Sequence, residues 1–443
     1  MNRFKFYKWS TGIVVLLFGN IASAQDTLSV EKAIATALNN NYDILLSKQD
    51  SASVAISNEY RNAVFLPTLN ANSTLLYNKN AQRSKFASGK DTTRTGIHTS
   101  NINASLNLNW TLFDGFRMFI ARERLDVATT RGSLVIKNQV VNTVSDVIKT
   151  YFDIVRQEQQ LKNIEEQMTL SGDRLRLAQY KLDIGVGIKP DVLQAQIDYN
   201  TQHASHINQL AVIDQRKHDL NRLMNVPQTV DYEVLDTIIV SSDFVLGDLM
   251  KGIEESSPTL RLARTDIDLA HLDVRDAKAL RFPTIGFTSA YSFSRNTNNS
   301  VVNPVAQALF NQNRGLNYGL TASIPIFNRF TVKQQIRQAE LSVNYLQLQL
   351  ENEQSIVNTN ILNNYRSYVA QKEIVDVNDS SVTLARENLV IERERYRLGA
   401  TTFIELRQAE ENLANAINNS ITTRYNLKIA ETELLRLRGE LVR

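Results

Sequence analysis

The sequence predicts a mainly helical, exported chain with a small transmembrane β section, the whole built by tandem duplication. Three observations carry this. Motifs recur at an offset near 214 residues, proline-free spans hold coiled-coil spacing over very long stretches, and four short segments alternate apolar with polar residues.

The N-terminus sets the compartment. Arg3, Lys5 and Lys8 precede the apolar run Ile13 to Phe18 and then Ala22-Ser23-Ala24, the three zones of a secretory signal over residues 1–24 with cleavage after Ala24. The signal holds three of the 49 basic residues and none of the 46 acidic ones, so the mature chain is formally neutral. It has no basic block with interleaved aromatics, which argues against a nucleic-acid partner. With no cysteine, disulfides, thiolate chemistry and a lipoprotein anchor are excluded. Beyond the signal no run approaches the roughly 20 apolar residues of a membrane helix. Any membrane crossing must therefore be made by strands.

The duplication is read from matched motifs. "FLPTL" at 65–69 recurs as "FPTI" at 282–285, with Pro67 and Pro283 216 apart. "TLFDG" recurs as "PIFNR", with Phe113 and Phe327 214 apart, and that offset persists through Tyr151/Tyr365, Gly185/Gly399, Asp191/Glu405 and Ala195/Ala409. The first copy spans 25–225, a linker 226–244, and the second copy 245–443. Each copy is expected to open with a helix (28–65 and 245–281), the first capped by Ser29. A β-hairpin follows, then a long helix (115–182 and 329–397), a glycine turn and a second helix (191–225 and 403–438).

The long helices rest on proline placement. No proline lies between Pro67 and Pro190 or after Pro325, so nothing there forces a kink. A helix from 115 to 182 would have 68 residues, about 100 Å at 1.5 Å per residue. Val140, Val144, Val147, Tyr151 and Ile154 step by four and three, while Val141, Ile148, Phe152 and Val155 make an adjoining seam. Two seams call for neighbours on both sides, as in a sheet of helices or a hollow cylinder.

The strands rest on alternation, placed at 68–77 and 101–112 in the first copy and at 284–295 and 316–327 in the second. Ile102 to Leu112 is apolar at every even position, with Asn, Ser or Thr between, and Leu316 to Ile326 repeats the scheme. Each run suits a tilted membrane strand of about 9–11 residues. Aromatics gather where strand meets helix: Phe65, Trp110, Phe113 and Phe116, then Phe282, Phe327 and Phe330, as an interfacial belt requires. The hairpin loops, 78–100 and 296–315, are expected to be long and polar. Known membrane barrels start at about eight strands, so four per chain imply an oligomer, with the small polar residues lining a lumen. A soluble half-buried sheet is the alternative. It would make the chain a soluble periplasmic coiled-coil structural or adaptor protein.

Taken in order, these motifs resemble the TolC-like outer membrane efflux protein family. The likeness rests on the duplication, the strand entries "FLPTL" and "RFPTI", the strand exits "TLFDG" and "IPIFNR", and the turns "IGVGIKPDVLQAQ" and "LGATTFIELRQAE". It implies a homotrimer whose twelve-stranded barrel, four strands per chain, continues into a periplasmic α-helical barrel of twelve helices. It further implies an exit duct in the outer membrane of a Gram-negative bacterium, most of its mass periplasmic, serving efflux or one-step secretion. A periplasmic adaptor and an inner-membrane transporter would be its partners.

The resemblance also implies where contacts fall. The adaptor would meet the tips Ile184-Gly185-Val186 and Leu398-Gly399-Ala400. The family often rings its aperture with two acids three residues apart; here those positions hold Glu405 and Gln408, with Asp191 the matching acid of the first copy. Thr401 stands where some members carry a gating arginine. Three Glu405 carboxylates about an axis would repel and favour cations; a plain helix-start acid is the other reading. No cofactor or metal is expected: His203 and His206 share a helix face without a third ligand, and no phosphate loop occurs. Nothing points to an enzyme or powers transport, so energy must come from a partner.

Overall fold

The computed structural model describes residues 27–235, 237–240, 243–303, 305 and 307–442. The expected signal segment, 1–24, lies outside them. The first copy runs β1 (Thr27–Leu28), α1 (Val30–Asn40), α2 (Tyr42–Glu59), a 3-10 turn (Arg61–Phe65), β2 (Thr68–Lys85), β3 (Asp91–Phe113), α3 (Arg117–Asp183) and α4 (Lys189–Met224), and the linker holds β4 (Glu233–Val234). The second runs α5 (Leu246–Met250), α6 (Ile253–Ser256), α7 (Pro258–Ala279), β5 (Thr284–Asn298), β6 (Phe310–Ser323), α8 (Thr331–Arg397) and α9 (Phe403–Arg438).

The opening helix of each copy is divided rather than continuous. Ser29 caps α1, accepting from Lys32 N at 3.3 Å. Asn41 then stops it: its Oδ1 accepts from Asp43 N at 2.9 Å and Ile44 N at 3.2 Å, restarting the chain as α2. Its amide also donates to the carbonyl of Leu223 on α4 at 2.8 Å, so the break is anchored by a contact 182 residues away. In the second copy Gly252, at φ 69°, and Pro258 at the start of α7 do the dividing.

α3 and α8 each have 67 residues. Both seams of α3 are covered: Val141, Val144, Val147, Tyr151, Phe152, Ile154 and Val155 are all buried. Around its middle Val147, Tyr151, Phe152, Ile154 and Val155 meet Ala33 and Ala37 of α1 and Leu220, Leu223 and Met224 of α4, each large apolar side chain contributing about 1.5–3 kcal/mol by burial. Tyr151 Oη donates to Leu28 O at 2.8 Å and accepts from Leu235 N at 3.1 Å, stitching the β1–β4 pair to the helices. A matching cluster joins Val357, Ile361 and Tyr368 of α8 to Leu427 and Leu434 of α9 and to Leu249 and Leu260. Near the sheet the helices lie in the order α2–α3–α7–α8; toward the far end the order is α4–α3–α9–α8.

The four long strands form one antiparallel sheet, β2-β3-β5-β6, so β3 and β5 join the two copies. The strands outrun the alternation on the β2–β3 side. Pairing continues to Lys85 opposite Asp91, and most of the stretch expected as loop, 78–100, is hairpin closed by a tight turn with Gly89 at φ 78°. Backbone pairing needs no apolar face, so strand can continue where both faces are polar. In the second copy strand also reaches further, to Asn298, and resumes at Phe310, leaving 299–309 as loop in place of 296–315. β6 ends at Ser323, and Ile324, Ile326 and Phe327 stand exposed beyond it.

A candidate channel wall: sheet face, aromatic collar and helical tip

Because side chains directly opposite in an antiparallel pair share a face, the register sorts the sheet into rows. On one face run Trp110–Phe287–Leu320, Leu69–Leu108–Ser289–Tyr318 and Ala71–Leu106–Tyr291–Leu316. On the other run Asn70–Asn107–Ala290–Asn317 and Thr74–Asn103–Ser294–Asn313. The apolar face stays uncovered by the chain's own helices: Leu69, Tyr77, Leu316, Tyr318 and Leu320 are each more than half exposed. Edge strands β2 and β6 each pair on one side only, and a free edge is a row of backbone groups seeking partners.

At the helical end of the sheet the seven expected interface aromatics come together in two groups. Trp110 Nε1 donates to the carbonyl of Phe65 at 2.8 Å. Phe116 meets Phe113 edge-on at 5.2 Å between ring centroids and Phe282 at 6.2 Å. Phe119, which the sequence reading passed over, bridges Phe65 at 5.1 Å and Phe116 at 6.3 Å. Phe327 and Phe330 pack edge-on at 5.8 Å at the free β6 side, both exposed. The turn from β3 into α3 is tight, with Gly115 at φ 76° and Phe116 at 73°.

At the opposite end, α3 passes to α4 through Ile184–Ile188 and α8 to α9 through Leu398–Thr402. Gly185 and Gly399 both adopt positive φ, 78° and 76°, and the backbone N–H groups of Val186 and Ala400 close back on the carbonyls of Lys181 and Arg395. Ile184, Val186 and Leu398 point to solvent, and Val186 is 71% exposed. Lys181 ties the two turns: its ammonium donates to Tyr396 O at 2.6 Å and lies 3.8 Å from the centre of that ring. Asp191 lies in the same hollow with Thr401, Thr402, Phe403 and Ile404.

Glu405 starts α9. Its Oε2 accepts from Thr401 Oγ1 at 2.5 Å, Thr402 N at 2.8 Å and Thr402 Oγ1 at 2.9 Å. Thr402 Oγ1 in turn accepts from Glu405 N, completing a capping box. The hydroxyl of Thr401 and then the contacts from Thr402 hold this exposed carboxyl down at about 2. Gln408, one turn on, is exposed and donates to Asn412 at 3.0 Å.

Sequence reasoning missed the ionic cluster just above the tip. Arg174 of α3, only 3% exposed in its side chain, bonds Glu410 of α9 and, at 2.6 Å, Asp198 of α4. Arg407 also reaches Asp198 at 3.3 Å. Burial pushes Glu410 up to about 7 despite the adjacent Arg174. The matching positions 214 residues away are Asn388, Asn412 and Gln196, so the cluster exists in one copy only. That departure from the repeat was the available signal. Glu410 is buried, whereas its neighbour Glu411 is exposed. His203 stacks on Tyr199 and His206 lies 3.4 Å from Glu165.

Residues 33–226 and 249–440 match the model of the outer membrane efflux protein family, once for each copy. The chain belongs to this family. Among sequence relatives of this efflux protein, the outer membrane efflux protein BepC of Brucella suis is 21% identical across 99% of the chain and 91% of its own length. The outer membrane protein TolC of Escherichia coli is 22% identical across 78% of the chain and 71% of its own. Among solved structures, the Campylobacter jejuni CmeC outer membrane channel superposes with a TM-score of 0.76 at 15% identity, covering 93% of this chain and 85% of that one. VceC of Vibrio cholerae gives 0.74 at 14%, covering 93% and 96%. The efflux protein thus has the fold of these channels, and the reading as a soluble adaptor is set aside.

Proposed function

We propose that three copies of this efflux protein close edge to edge into a passive outer-membrane duct of a Gram-negative bacterium. One observation carries the reading: a sheet with an uncovered apolar face and two free edges runs directly into a helical wall whose outermost helix, α8, is itself uncovered, with Leu341, Tyr345, Leu348 and Val377 exposed along it. Joining β6 and α8 of one copy to β2, α2 and α4 of the next satisfies both at once. Three copies supply twelve strands, enough to leave no edge in lipid, where each unpaired backbone group costs several kcal/mol. Four or more copies would close too; the trimer follows from the family resemblance.

In that ring the apolar rows face lipid and the Asn, Ser and Thr rows face water. Such a lumen presents small dipoles and little charge, so it passes solutes without holding them. The far tips are where a periplasmic adaptor would seat, on Ile184-Gly185-Val186 and Leu398-Gly399-Ala400, delivering substrate from an inner-membrane transporter that supplies the energy. Glu405 with Asp191, Thr401 and Gln408 would line the aperture. A secretion role is kept beside efflux because the alkaline protease secretion protein AprF of Pseudomonas aeruginosa is 21% identical over 91% of the chain. Purification tests the reading. We expect extraction only with detergent, a heat-dissociable trimer on gels, and discrete conductance steps in planar bilayers; a monomer soluble in plain buffer overturns it.

A further inference from the structure

The formal neutrality of the mature chain hides a segregation of charge. Residues 68–113 and 284–323, which hold the four strands and their hairpin loops, carry seven lysines and arginines and a single acid, Asp91. Arg83 already pairs with that acid at 2.6 Å.

The register places part of this excess on the apolar face. The Trp110 row is the first aromatic row of that face past the bulge between Thr111 and Phe113, and Tyr77–Ser100–Thr297–Phe310 is the last. The two are ten residues apart on β3, about 34 Å along a strand at 3.4 Å per residue. Tilted by about 40°, that distance falls close to the roughly 25 Å apolar band of membrane barrels. Arg295, opposite Ile102, lies one row inside the upper boundary, and Arg314, opposite Phe293, lies two rows inside. Lys79 and His98 face each other just beyond it.

Among the described residues no carboxylate pairs with either arginine. Each guanidinium instead lies over an aromatic ring of the same face, Arg295 over Phe310 at 5.3 Å and Arg314 over Phe293 at 5.8 Å. Stacking leaves the planar Arg295 fork free to grip an oxyanion by two parallel bonds, while Nη2 and Nε of Arg314 donate to the side-chain oxygen of Gln312 at 3.0 and 3.2 Å, a neutral partner that leaves the charge uncompensated. A cation on the lipid face costs up to about 2–4 kcal/mol at mid-bilayer and falls toward zero at the interface. Two arginines without a counter-charge just beneath that interface therefore call for an anion supplied by the membrane.

We propose that Arg295 and Arg314, backed by Lys79, hold the phosphate groups of an anionic lipid in the leaflet nearest the hairpin tips. This rests on the membrane-spanning reading of the sheet. The phosphate is the recognised chemistry, and the acyl chains would lie along Tyr291, Leu316 and Leu106 below it.

The test uses the detergent-purified trimer and native mass spectrometry, with diphosphoryl lipid A, dioleoylphosphatidylcholine and inorganic phosphate as probes. The diphosphorylated lipid should remain bound and raise the temperature of trimer dissociation, while the zwitterionic lipid does neither. Arg295→Gln with Arg314→Gln should weaken retention at least tenfold with the trimer intact on gels, and the Lys pair should fall between. Equal retention by wild type and the Gln pair, or equal retention of the zwitterionic lipid, overturns the proposal. So does displacement of the lipid by inorganic phosphate at matched phosphate concentration, which would mark a free-phosphate site. Should the Gln pair fail to assemble, the wild-type comparison of the three probes still decides. If the protein needs no detergent, the membrane reading fails instead.

Discussion

A Cβ added to Gly115 would stand 2.5 Å from the carbonyl oxygen of Ala279 and 2.9 Å from Cβ of Phe282. Here the β3–α3 turn of one copy presses on the end of α7 of the other, and the backbone is also left-handed. Gly115→Ala therefore meets both a strained φ, about 1–2 kcal/mol, and a clash with rigid backbone. We expect a clear drop in the temperature of trimer dissociation. Arg329, 214 residues on, has φ 52° without glycine. Arg329→Gly should leave that temperature unchanged or raise it, by up to about 1 kcal/mol of relieved strain.

The face assignment is tested by a pair of neighbours. Leu106→Arg places a charge in the middle of the apolar rows and should cost about 2–4 kcal/mol, reducing the assembled trimer recovered from membranes. Asn107→Arg, one residue on and facing the polar side, should assemble normally and shift ion selectivity toward anions. If the two variants exchange these outcomes, the faces are reversed.

Glu405 is held low within one chain, whereas three such carboxylates meeting at an aperture would raise one another. If the capping box dominates, cation selectivity in planar bilayers persists as pH falls to about 4, and Glu405→Ala lowers it at neutral pH. Selectivity already lost near pH 6 would mean that repulsion among copies wins. The depressed carboxyl also stabilises the start of α9 at pH values above the ordinary carboxylate range, and that support is lost as pH falls through about 2.

Glu410 runs the other way. Its carboxyl is raised to about 7 by burial, so the folded state holds a proton that the unfolded chain releases nearer its ordinary value. Stability should fall as pH rises from the ordinary carboxylate range through about 7. Glu410→Gln should flatten the dependence of dissociation temperature on pH. Arg174→Met, which removes the buried cation that Glu410 and Asp198 share and leaves Asp198 with Arg407, should cost about 3–5 kcal/mol.

Lys181 is the bond between the two tip turns. Lys181→Met keeps the methylene stem over Tyr396 and removes the charge-assisted bond to its carbonyl. We expect larger and less regular single-channel conductance, because the α3–α4 and α8–α9 hairpins part more easily. Unchanged conductance would show that the remaining contacts between these hairpins, among them Arg393–Asp173 at 2.7 Å, hold them alone.

Much of this protein is written as periodicity. A step of four and three over Val140 to Ile154 tells a helix which stripe is buried, and a step of two over Ile102 to Leu112 tells a strand which face is greasy. Both are local, because a side chain's direction depends only on the turn per residue, and a repeat read at one offset doubles the yield. Proline-free spans allowed long rods, and the turns at Gly185 and Gly399 ended them. What the tertiary structure decided is everything that requires two distant segments to meet. Asn41 divides α1 from α2, anchored by Leu223 across 182 residues; β3 lies beside β5; Arg174 gathers acids from α4 and α9; Lys181 reaches Tyr396. No periodicity announces such partners, since each depends on how two copies of one plan pack against each other. Glu405 shows the divide in a single residue: sequence located the acid at the start of a helix, and only the folded turn disclosed that one of its oxygens, Oε2, is already engaged by Thr401 and Thr402.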